Sequence, residues 1–257
     1  MPPGLKVFIT GASSGIGEAL AAHYAGRGAI LGLCARRLDP MRALAAKLGG
    51  DAVCYRVDVT EPQSVQAAAQ DFIGRFGAPD IVIANAGVSI GTLSESVEDI
   101  AAFRKVMETN VLGMVATFQP FIAPLRARAS GTLVGIASVA GFRGLPGSGA
   151  YSASKSAAIT YLESLRAELH GSGVAVVTIC PGYIRTPMTA VNRYPMPFII
   201  EADDAARRFA RAIERKRRLA VVPWQMAIVS LLLRALPGWL YDRLFARAPR
   251  KSRNLPL

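Results

Sequence analysis

Short apolar runs alternate with amphipathic segments along most of the chain. Runs such as Lys6–Thr10 and Ile81–Ala84 are apolar almost without interruption, which is typical of strands covered on both faces in a parallel sheet. Between the runs, apolar residues recur every four positions, as at Ile16, Leu20 and Tyr24, and this spacing predicts helices. Strands are predicted at Lys6–Thr10, Ile30–Ala35, Ala52–Val57, Ile81–Ala84, Thr132–Ala137, Val174–Cys180 and Leu219–Val222.

The segments that follow these strands predict the helices Gly15–Arg27, Pro40–Leu48, Pro62–Phe76, residues 97–128 as two helices, Tyr151–His170 and Asp203–Lys216. Strands and helices that alternate in this way, joined by right-handed crossovers, predict an α/β fold. The expected architecture is a doubly wound parallel sheet of the Rossmann type, with about seven strands and helices on both faces. No linker rich in proline, glycine or serine divides the region, so residues 1–222 are predicted to form one domain.

Residues 223–257 form a basic, apolar extension with two predicted helices, Trp224–Leu236 and Trp239–Arg247. Of the net charge of +12, +11 falls within residues 205–257. The longest apolar stretch, Leu219–Leu233, is shorter than the ~20 residues that a membrane-spanning helix needs, and Pro223 interrupts it. The favoured interpretation is an extension that packs on the same domain or on a neighbouring subunit. The alternative is peripheral contact with an anionic membrane through its aromatic and basic residues, among them Arg247, Arg250, Lys251 and Arg253.

Composition narrows the class of protein. The charge before residue 205 is nearly balanced, so a nucleic-acid partner is not expected. Three cysteines, all in strands predicted to be buried, exclude a disulfide scaffold, and no motif with metal-ligand spacing occurs. The first residues contain no apolar run long enough for a signal peptide, so we expect a cytoplasmic protein.

A glycine-rich segment joins the first predicted strand to the first predicted helix. It reads Gly11-Ala12-Ser13-Ser14-Gly15-Ile16-Gly17. Gly11 allows a tight turn, Gly15 lets backbone approach a pyrophosphate, and Gly17 lets the helix pack close to the strand. The helix N-terminus then offers free N–H groups to the phosphates, and the serine hydroxyls add donors. The domain is therefore predicted to bind a dinucleotide.

The end of the second strand bears on the choice of dinucleotide. An acidic residue there would bind the ribose hydroxyls of NAD, but this chain has Arg36 and Arg37. A guanidinium can bind the 2′-phosphate of NADP through two charged hydrogen bonds, so NADP(H) is favoured over NAD(H). Asp58 follows the third strand, where it could accept a hydrogen bond from the adenine amino group or act as an ordinary turn residue.

Tyr151 and Lys155 stand one helical turn apart at the start of a predicted helix. A neighbouring ammonium and the positive ring of an oxidised nicotinamide both favour the phenolate, so the tyrosine can exchange a proton with a carbonyl or alcohol oxygen. Ser138 follows the fifth strand, at the edge where parallel sheets bind ligands, and could donate a hydrogen bond to the same oxygen.

Six motifs occur in one order along the chain: Thr10–Gly17, Asn85-Ala86-Gly87, Asn110, Ser138, Tyr151 with Lys155, and Pro181-Gly182 followed by Thr186. With these motifs, the chain resembles the short-chain dehydrogenase/reductase family over roughly residues 5–222. The resemblance implies a catalytic set of Asn110, Ser138, Tyr151 and Lys155. Tyr151 would be the acid/base and Ser138 would orient the substrate oxygen. Lys155 would bind the nicotinamide ribose and lower the pKa of the tyrosine, and Asn110 would hold a water that links Lys155 to solvent.

The resemblance also implies the cofactor contacts. Asn85, Ala86 and Gly87 would lie against the cofactor after the fourth strand, and Asp58 with Val59 would contact the adenine. Pro181, Gly182 and Thr186 would contact the nicotinamide end, and the backbone of Ile184 its carboxamide. Relatives that prefer NADP often carry a basic residue before the second glycine of the loop, where this chain has Ser14. The contact with the 2′-phosphate would therefore depend on Arg36, with Arg37.

The predicted function is an NADP(H)-dependent oxidoreductase that interconverts a carbonyl and an alcohol on a lipophilic small molecule. The resemblance implies a substrate lid at residues 187–200, which is rich in large apolar side chains. With Phe142, Leu145 and Pro146 this lid could enclose a lipophilic substrate, and the alternative is a loop that packs on the core. Homodimers or homotetramers are expected. Two alternatives remain: a 3-oxoacyl-carrier-protein reductase, whose basic surface would dock an acidic carrier, and a non-catalytic dinucleotide-sensing interaction protein.

Overall fold

The apolar runs form strands and the segments between them form helices, as predicted. The computed structural model describes residues 4–192, 194–248 and 250–253. Its strands are β1 Lys6–Thr10, β2 Ile30–Ala35, β3 Ala52–Arg56, β4 Ile81–Ala84, β5 Gly131–Ile136, β6 Val174–Pro181, β7 Ile184–Arg185, β8 Ile200–Glu201 and β9 Leu219–Val222. Its helices are α1 Gly15–Ala25, α2 Leu38–Leu48, α3 Pro62–Phe76, α4 Asp99–Met107, α5 Gly113–Ala127, α6 Gly149–Glu168, α7 Pro187–Ala190, α8 Ala202–Glu214, α9 Trp224–Ala235 and α10 Gly238–Phe245.

Seven of the strands form one parallel sheet in the order β3-β2-β1-β4-β5-β6-β9. Because successive side chains of a strand point to opposite faces, β1 contributes to two cores. Val7 and Ile9 pack in the core that contains Leu20 of α1 and Phe209 of α8. Phe8 packs in the other core, together with residues of α3, α5 and α6. The doubly wound α/β fold with helices on both faces is confirmed.

Several details differ from the sequence prediction. The region predicted as two helices over residues 97–128 consists of α4 and α5 joined by the π-helical turn Glu108–Leu112. The short strands β7 and β8 were not predicted, and they pair with each other beside the main sheet. Cys34 and Cys180 are buried as expected, but Cys54 is only half-buried. The prediction for Cys54 was wrong because β3 is the edge strand of the sheet and has a neighbour on one side only.

The extension begins directly after the last strand, and both of its predicted helices are present as α9 and α10. None of the helices in the described part of the chain combines the length and apolarity needed to cross a bilayer. Parts of three predictions lie outside the described residues: the chain start at 1–3, position 193 of the lid, and positions 249 and 254–257 of the extension.

Candidate active site

A cleft opens along the carboxyl edge of the sheet, where the strands β1, β2, β4, β5 and β6 end. Nearly all of the site residues predicted from the sequence line it. They are Gly11, Ser13, Ser14, Gly15, Ile16, Arg36, Arg37, Asp58, Val59, Asn85, Ala86, Gly87, Ser138, Tyr151, Lys155, Pro181, Gly182, Ile184 and Thr186. Gly17 and Asn110 are not part of the lining. Both lie behind the lining and contact it: Gly17 lies against the Gly11 carbonyl, and Asn110 accepts a hydrogen bond from the Val88 N–H.

The glycine-rich loop runs from β1 into α1 and is held by Asn85 at the end of β4. The Asn85 amide donates to the Thr10 and Gly11 carbonyls, at 3.1 Å each. A Cβ on Gly17 would collide with the Gly11 carbonyl oxygen and lie 2.6 Å from the Asn85 Nδ2, so this position accepts no side chain. Ser14 is the N-cap of α1, yet its side chain makes no capping hydrogen bond. The loop and the helix N-terminus therefore fit a pyrophosphate, which needs close backbone approach and free donors.

At one end of the cleft, Arg36 and Arg37 follow β2 and are exposed at the rim. Asp58 lies opposite and forms a turn: its Oδ1 accepts from the Thr60 N–H at 3.0 Å and the Thr60 hydroxyl at 2.7 Å. Burial opposes ionisation of Asp58, but the hydrogen bonds of Thr60, together with the charges of Arg36 and Lys105, lower its pKa. Asp58 thus acts as a turn residue while it also lines the cleft.

At the other end, Tyr151, Lys155 and Ser138 come together as predicted from their spacing and strand position. The Lys155 ammonium lies 5.7 Å from the centroid of the Tyr151 ring and donates to the Ile136 carbonyl at 2.8 Å. Ser138 is the N-cap of the short 3₁₀ turn Val139–Gly141, and its hydroxyl accepts from the Ala140 N–H at 3.2 Å. The three side chains therefore lie close together at this end of the cleft.

Burial governs the protonation of this group. It raises the pKa of Tyr151 above the ordinary value for a phenol, while hydrogen bonding with the Ser138 side chain acts in the opposite direction. Burial also lowers the pKa of Lys155 to about 8. Near neutral pH these shifts leave Tyr151 as the protonated phenol, which is the form that can donate a proton.

Asn110 lies in the π-helical turn, fully buried behind Gly87. Its Oδ1 accepts from the Val88 N–H at 2.8 Å, and its Nδ2 donates to the Val88 carbonyl at 2.9 Å and to the Ser154 hydroxyl at 3.0 Å. Asn110 thereby ties α6 to the chain that leaves β4. A Cβ on Gly87 would lie 3.1 Å from the Asn110 Oδ1 and 3.6 Å from the Lys155 Nζ, so these two polar side chains meet at Gly87.

The end of the cleft that contains Tyr151 and Lys155 is closed by the chain after β6. The Gly182 N–H donates to the Val222 carbonyl at 2.8 Å, and the buried Ile184 starts β7. Thr186 caps α7 through reciprocal hydrogen bonds with Thr189. From the predicted lid, Pro187, Met188 and Thr189 line the cleft, but Phe142, Leu145 and Pro146 are not among its lining residues in the described structure. The cleft lining therefore does not support the prediction that these three residues help to enclose the substrate.

Sequence reasoning did not single out three polar residues at this site. Lys105 lines the cleft near Asp58. Lys251, near the end of the chain, and Ser89 are not among the lining residues of the described cleft. The Lys251 ammonium nevertheless lies over the Tyr151 ring and donates to the Ser89 hydroxyl at 2.6 Å. The position of Ser89 two residues after the Asn85-Ala86-Gly87 motif could have marked it. No local pattern distinguishes Lys251 from the other basic residues of the extension.

Comparison with known proteins agrees with this geometry. The family model for short chain dehydrogenase matches residues 6–196. An uncharacterized oxidoreductase of Myxococcus xanthus (strain DK1622) is 38% identical over 237 residues, which cover 91% of this chain and 93% of the relative. An 11-beta-hydroxysteroid dehydrogenase A of Arachis hypogaea is 40% identical over 190 residues, 72% of this chain and 54% of the relative.

A solved structure shares the architecture. The alcohol dehydrogenase of Thermococcus sibiricus, complexed with 5-hydroxy-NADP, is 28% identical, with a TM-score of 0.75 over 85% of this chain and 95% of its own. The predicted family and enzyme class are confirmed, and a nicotinamide dinucleotide is the cofactor that these similarities support. The chain belongs to the short-chain dehydrogenase/reductase family and is an NAD(P)-dependent oxidoreductase.

Proposed function

We propose that the protein uses NADP(H) to interconvert a carbonyl and an alcohol on a lipophilic small molecule. The observation that carries this proposal is the cleft itself. It joins the glycine-rich loop at one end to Tyr151, Lys155 and Ser138 at the other, so it has a place for a dinucleotide and an acid/base group beyond it. The nicotinamide ring supplies or accepts the hydride when bound.

In this proposal the residues of the chain handle the proton and the substrate oxygen. During reduction, the Tyr151 hydroxyl donates its proton to the carbonyl oxygen as the C–H bond forms, and the alcohol leaves. Ser138 donates a hydrogen bond to the same oxygen and orients it. The Lys155 ammonium stabilises the phenolate that remains and binds the nicotinamide ribose. Asn110 holds the water through which that proton is replaced.

The preference for NADP(H) is supported by the charge at the adenosine end. Arg36 and Arg37 are exposed at the cleft rim directly after β2, and the next acidic residue, Asp39, already lies in α2. A 2′-phosphate at the rim would meet guanidinium groups rather than a carboxylate. The substrate's apolar character is supported by Pro187 and Met188 of α7, since methionine adapts to irregular apolar ligands.

Removing the Arg36 guanidinium tests this preference. Arg36→Ala should weaken NADPH binding by roughly 1.5–3 kcal/mol, the scale of a charged hydrogen bond, and leave NADH binding nearly unchanged. Fluorescence titration of both cofactors against both proteins measures this difference. Arg56→Ala serves as the control, because Arg56 is exposed at the end of the neighbouring strand and does not line the cleft. Equal losses for the two cofactors would contradict the assignment.

The function as a whole is tested by screening carbonyl compounds for oxidation of NADPH and of NADH by the purified protein. The panel should contain short polar aldehydes and ketones, medium-chain ketones and polycyclic ketones, each at matched concentration. The proposal predicts turnover with the larger apolar compounds and a higher kcat/KM with NADPH than with NADH. A carrier-protein thioester belongs in the panel, because turnover of that compound alone would favour the carrier-protein reductase.

We also propose that the protein is cytoplasmic, that it forms a homodimer or homotetramer and that the extension takes part in the interface. Met226, Ser230 and Tyr241 are buried against the same domain. The opposite side of the two helices leaves large apolar side chains exposed in the single chain. They are Trp224, Ile228, Leu231, Leu232, Trp239 and Leu244. A second copy that covered these residues would remove their apolar surface from water.

Leu231→Glu tests the interface, because Leu231 is 70% exposed in the single chain. A carboxylate at this position should change the folding free energy little, but it should weaken association if a second copy covers the residue. The variant should keep its thermal stability as a folded domain but move to a smaller species in light scattering after size-exclusion chromatography. A wild-type protein that is already monomeric would contradict the interface. If that monomer pelleted with anionic vesicles and the variant did not, the membrane alternative would be correct.

A further inference from the structure

The last described residues of the chain, 250–253, lie against the loop that follows β4, beside Tyr151. We call this segment the strap. Its Ser252 carbonyl accepts from the Gly91 N–H at 3.0 Å. Arg253 forms a two-pronged ion pair with Asp99, with Nε–Oδ2 at 2.9 Å and Nη2–Oδ1 at 3.0 Å. Asp99 is largely buried and also accepts from the Leu93 N–H at 2.7 Å. The strap is therefore held by backbone and by charge, next to the chain that leaves β4.

The chain that leads to the strap is anchored as well. The Tyr241 hydroxyl of α10 donates to the Gly144 carbonyl, and the Arg143 guanidinium lies 4.3 Å from the centroid of the Tyr241 ring. Arg143 also donates to the Leu236 carbonyl at 3.1 Å. A Cβ on Gly91 would collide with the Lys251 carbonyl oxygen, so the strap lies as close to this loop as a glycine permits.

This placement brings the side chain of Lys251 to the catalytic tyrosine. The Lys251 Nζ lies over the Tyr151 ring, 5.7 Å from its centroid, which is also the distance of the Lys155 Nζ. Its hydrogen bond with Ser89, a buried residue, fixes the direction of the ammonium. Two lysines thus approach one phenol, one from α6 and one from the end of the chain.

Among the described residues, the Lys251 ammonium meets no carboxylate. In the described ranges no carboxylate forms an ion pair with Lys251 or with Lys155, although burial lowers the pKa of both amines to about 8. A partly buried cation without a counter-ion is costly, and an anion that enters the site recovers part of that cost. A ligand anion that binds Lys251 would lie beside the Tyr151 ring.

From this juxtaposition we propose that Lys251 is a specificity-determining residue that binds a carboxylate of the substrate, so that the preferred substrate is an apolar oxo-acid or hydroxy-acid. The inference rests on the proposed function, and it adds an acidic group to the apolar compound suggested by the cleft. The carboxylate accepts a charged hydrogen bond from the Lys251 Nζ while the carbonyl oxygen lies against Tyr151 and Ser138.

The test compares a γ-oxo fatty acid with its methyl ester, which has the same carbonyl and the same apolar chain but no negative charge. Wild-type protein should have a higher kcat/KM for the acid than for the ester. Lys251→Met should reduce the ratio of acid to ester by about 10- to 100-fold, the scale of one charged hydrogen bond. Lys47→Met is the matched control, because it removes an exposed lysine of α2, which packs in the core on the opposite face of the sheet from α6, and its ratio should equal that of the wild type.

A second measurement does not depend on turnover. Calorimetric titration of the full-length protein in the presence of NADP⁺ with the saturated fatty acid of the same length should show binding that weakens at least about 10-fold in Lys251→Met and not in Lys47→Met. An unchanged ratio or unchanged acid binding would overturn the inference. Equal losses for acid and ester would also overturn it, since Lys251 would then act on Tyr151 instead. If neither compound is reduced, the panel of carbonyl compounds described above decides the proposed function, and the titration alone decides the role of Lys251.

Discussion

Replacing Tyr151 with phenylalanine is expected to lower kcat by ~100-fold or more, the range for loss of an acid/base group. The change keeps the ring, whose centroid lies 5.7 Å from the Nζ of both Lys155 and Lys251, and removes only the hydroxyl that donates the proton. Burial raises the pKa of this hydroxyl, so near neutral pH nearly every molecule holds the proton that reduction consumes. Steady-state oxidation of NADPH, with a carbonyl compound that the wild type reduces, measures the loss.

Tyr161→Phe is the matched control for this variant. Tyr161 lies on the same helix as Tyr151, packs partly buried against the core between α5 and α6, and lies outside the cleft. The control should keep wild-type kcat, and both variants should bind NADPH as tightly as the wild type does. Near-normal turnover by Tyr151→Phe would show that another group supplies the proton, and the mechanism proposed above would be wrong.

The fold was predictable because the inner strands of the main sheet are buried on both faces. Continuous burial produces an apolar run with clear ends, and β1, β2 and β4 occupy the residues predicted for them. Elements that lack such a run were either not predicted or not distinguished from a neighbouring helix. The strands β7 and β8 have two residues each, which is too short for any periodicity. The π-helical turn adds an apparent extra residue to a helix, and the same polar and apolar pattern fits both geometries.

The candidate site was predictable where short-range spacing creates it. Tyr151 and Lys155 meet because one helical turn separates them, and the glycine-rich loop lies where a strand enters a helix. The position of Lys251 over Tyr151 could not be predicted from the sequence. It depends on the hydrogen bond between α10 and Gly144 and on the ion pair between Arg253 and Asp99. Those contacts join distant parts of the chain. Phe142 shows the opposite error: it is near the catalytic residues in sequence, but it does not line the cleft.

Gly17 is the position where a single added methyl group should do the most damage to the cofactor end of the site. Gly17→Ala places a Cβ against the Gly11 carbonyl oxygen and the Asn85 amide, so the loop or the helix must shift. The strain of such overpacking is roughly 1–3 kcal/mol of folding free energy. The shift also moves the loop N–H groups, so affinity for NADPH should fall together with stability. Urea denaturation and fluorescence titration of the same sample measure the two effects.

Gly74→Ala separates this effect from the ordinary consequence of the same substitution in a helix. Both glycines are helical, but a Cβ on Gly74 in α3 meets no atom within 4 Å. Alanine in an open helical position stabilises by about 0.5–1 kcal/mol, because glycine loses more backbone freedom on folding. The two variants should therefore change the free energy of unfolding in opposite directions, and only Gly17→Ala should weaken NADPH binding. If Gly17→Ala were as stable as Gly74→Ala and bound NADPH normally, the close packing of α1 against the loop would not be what positions the pyrophosphate site.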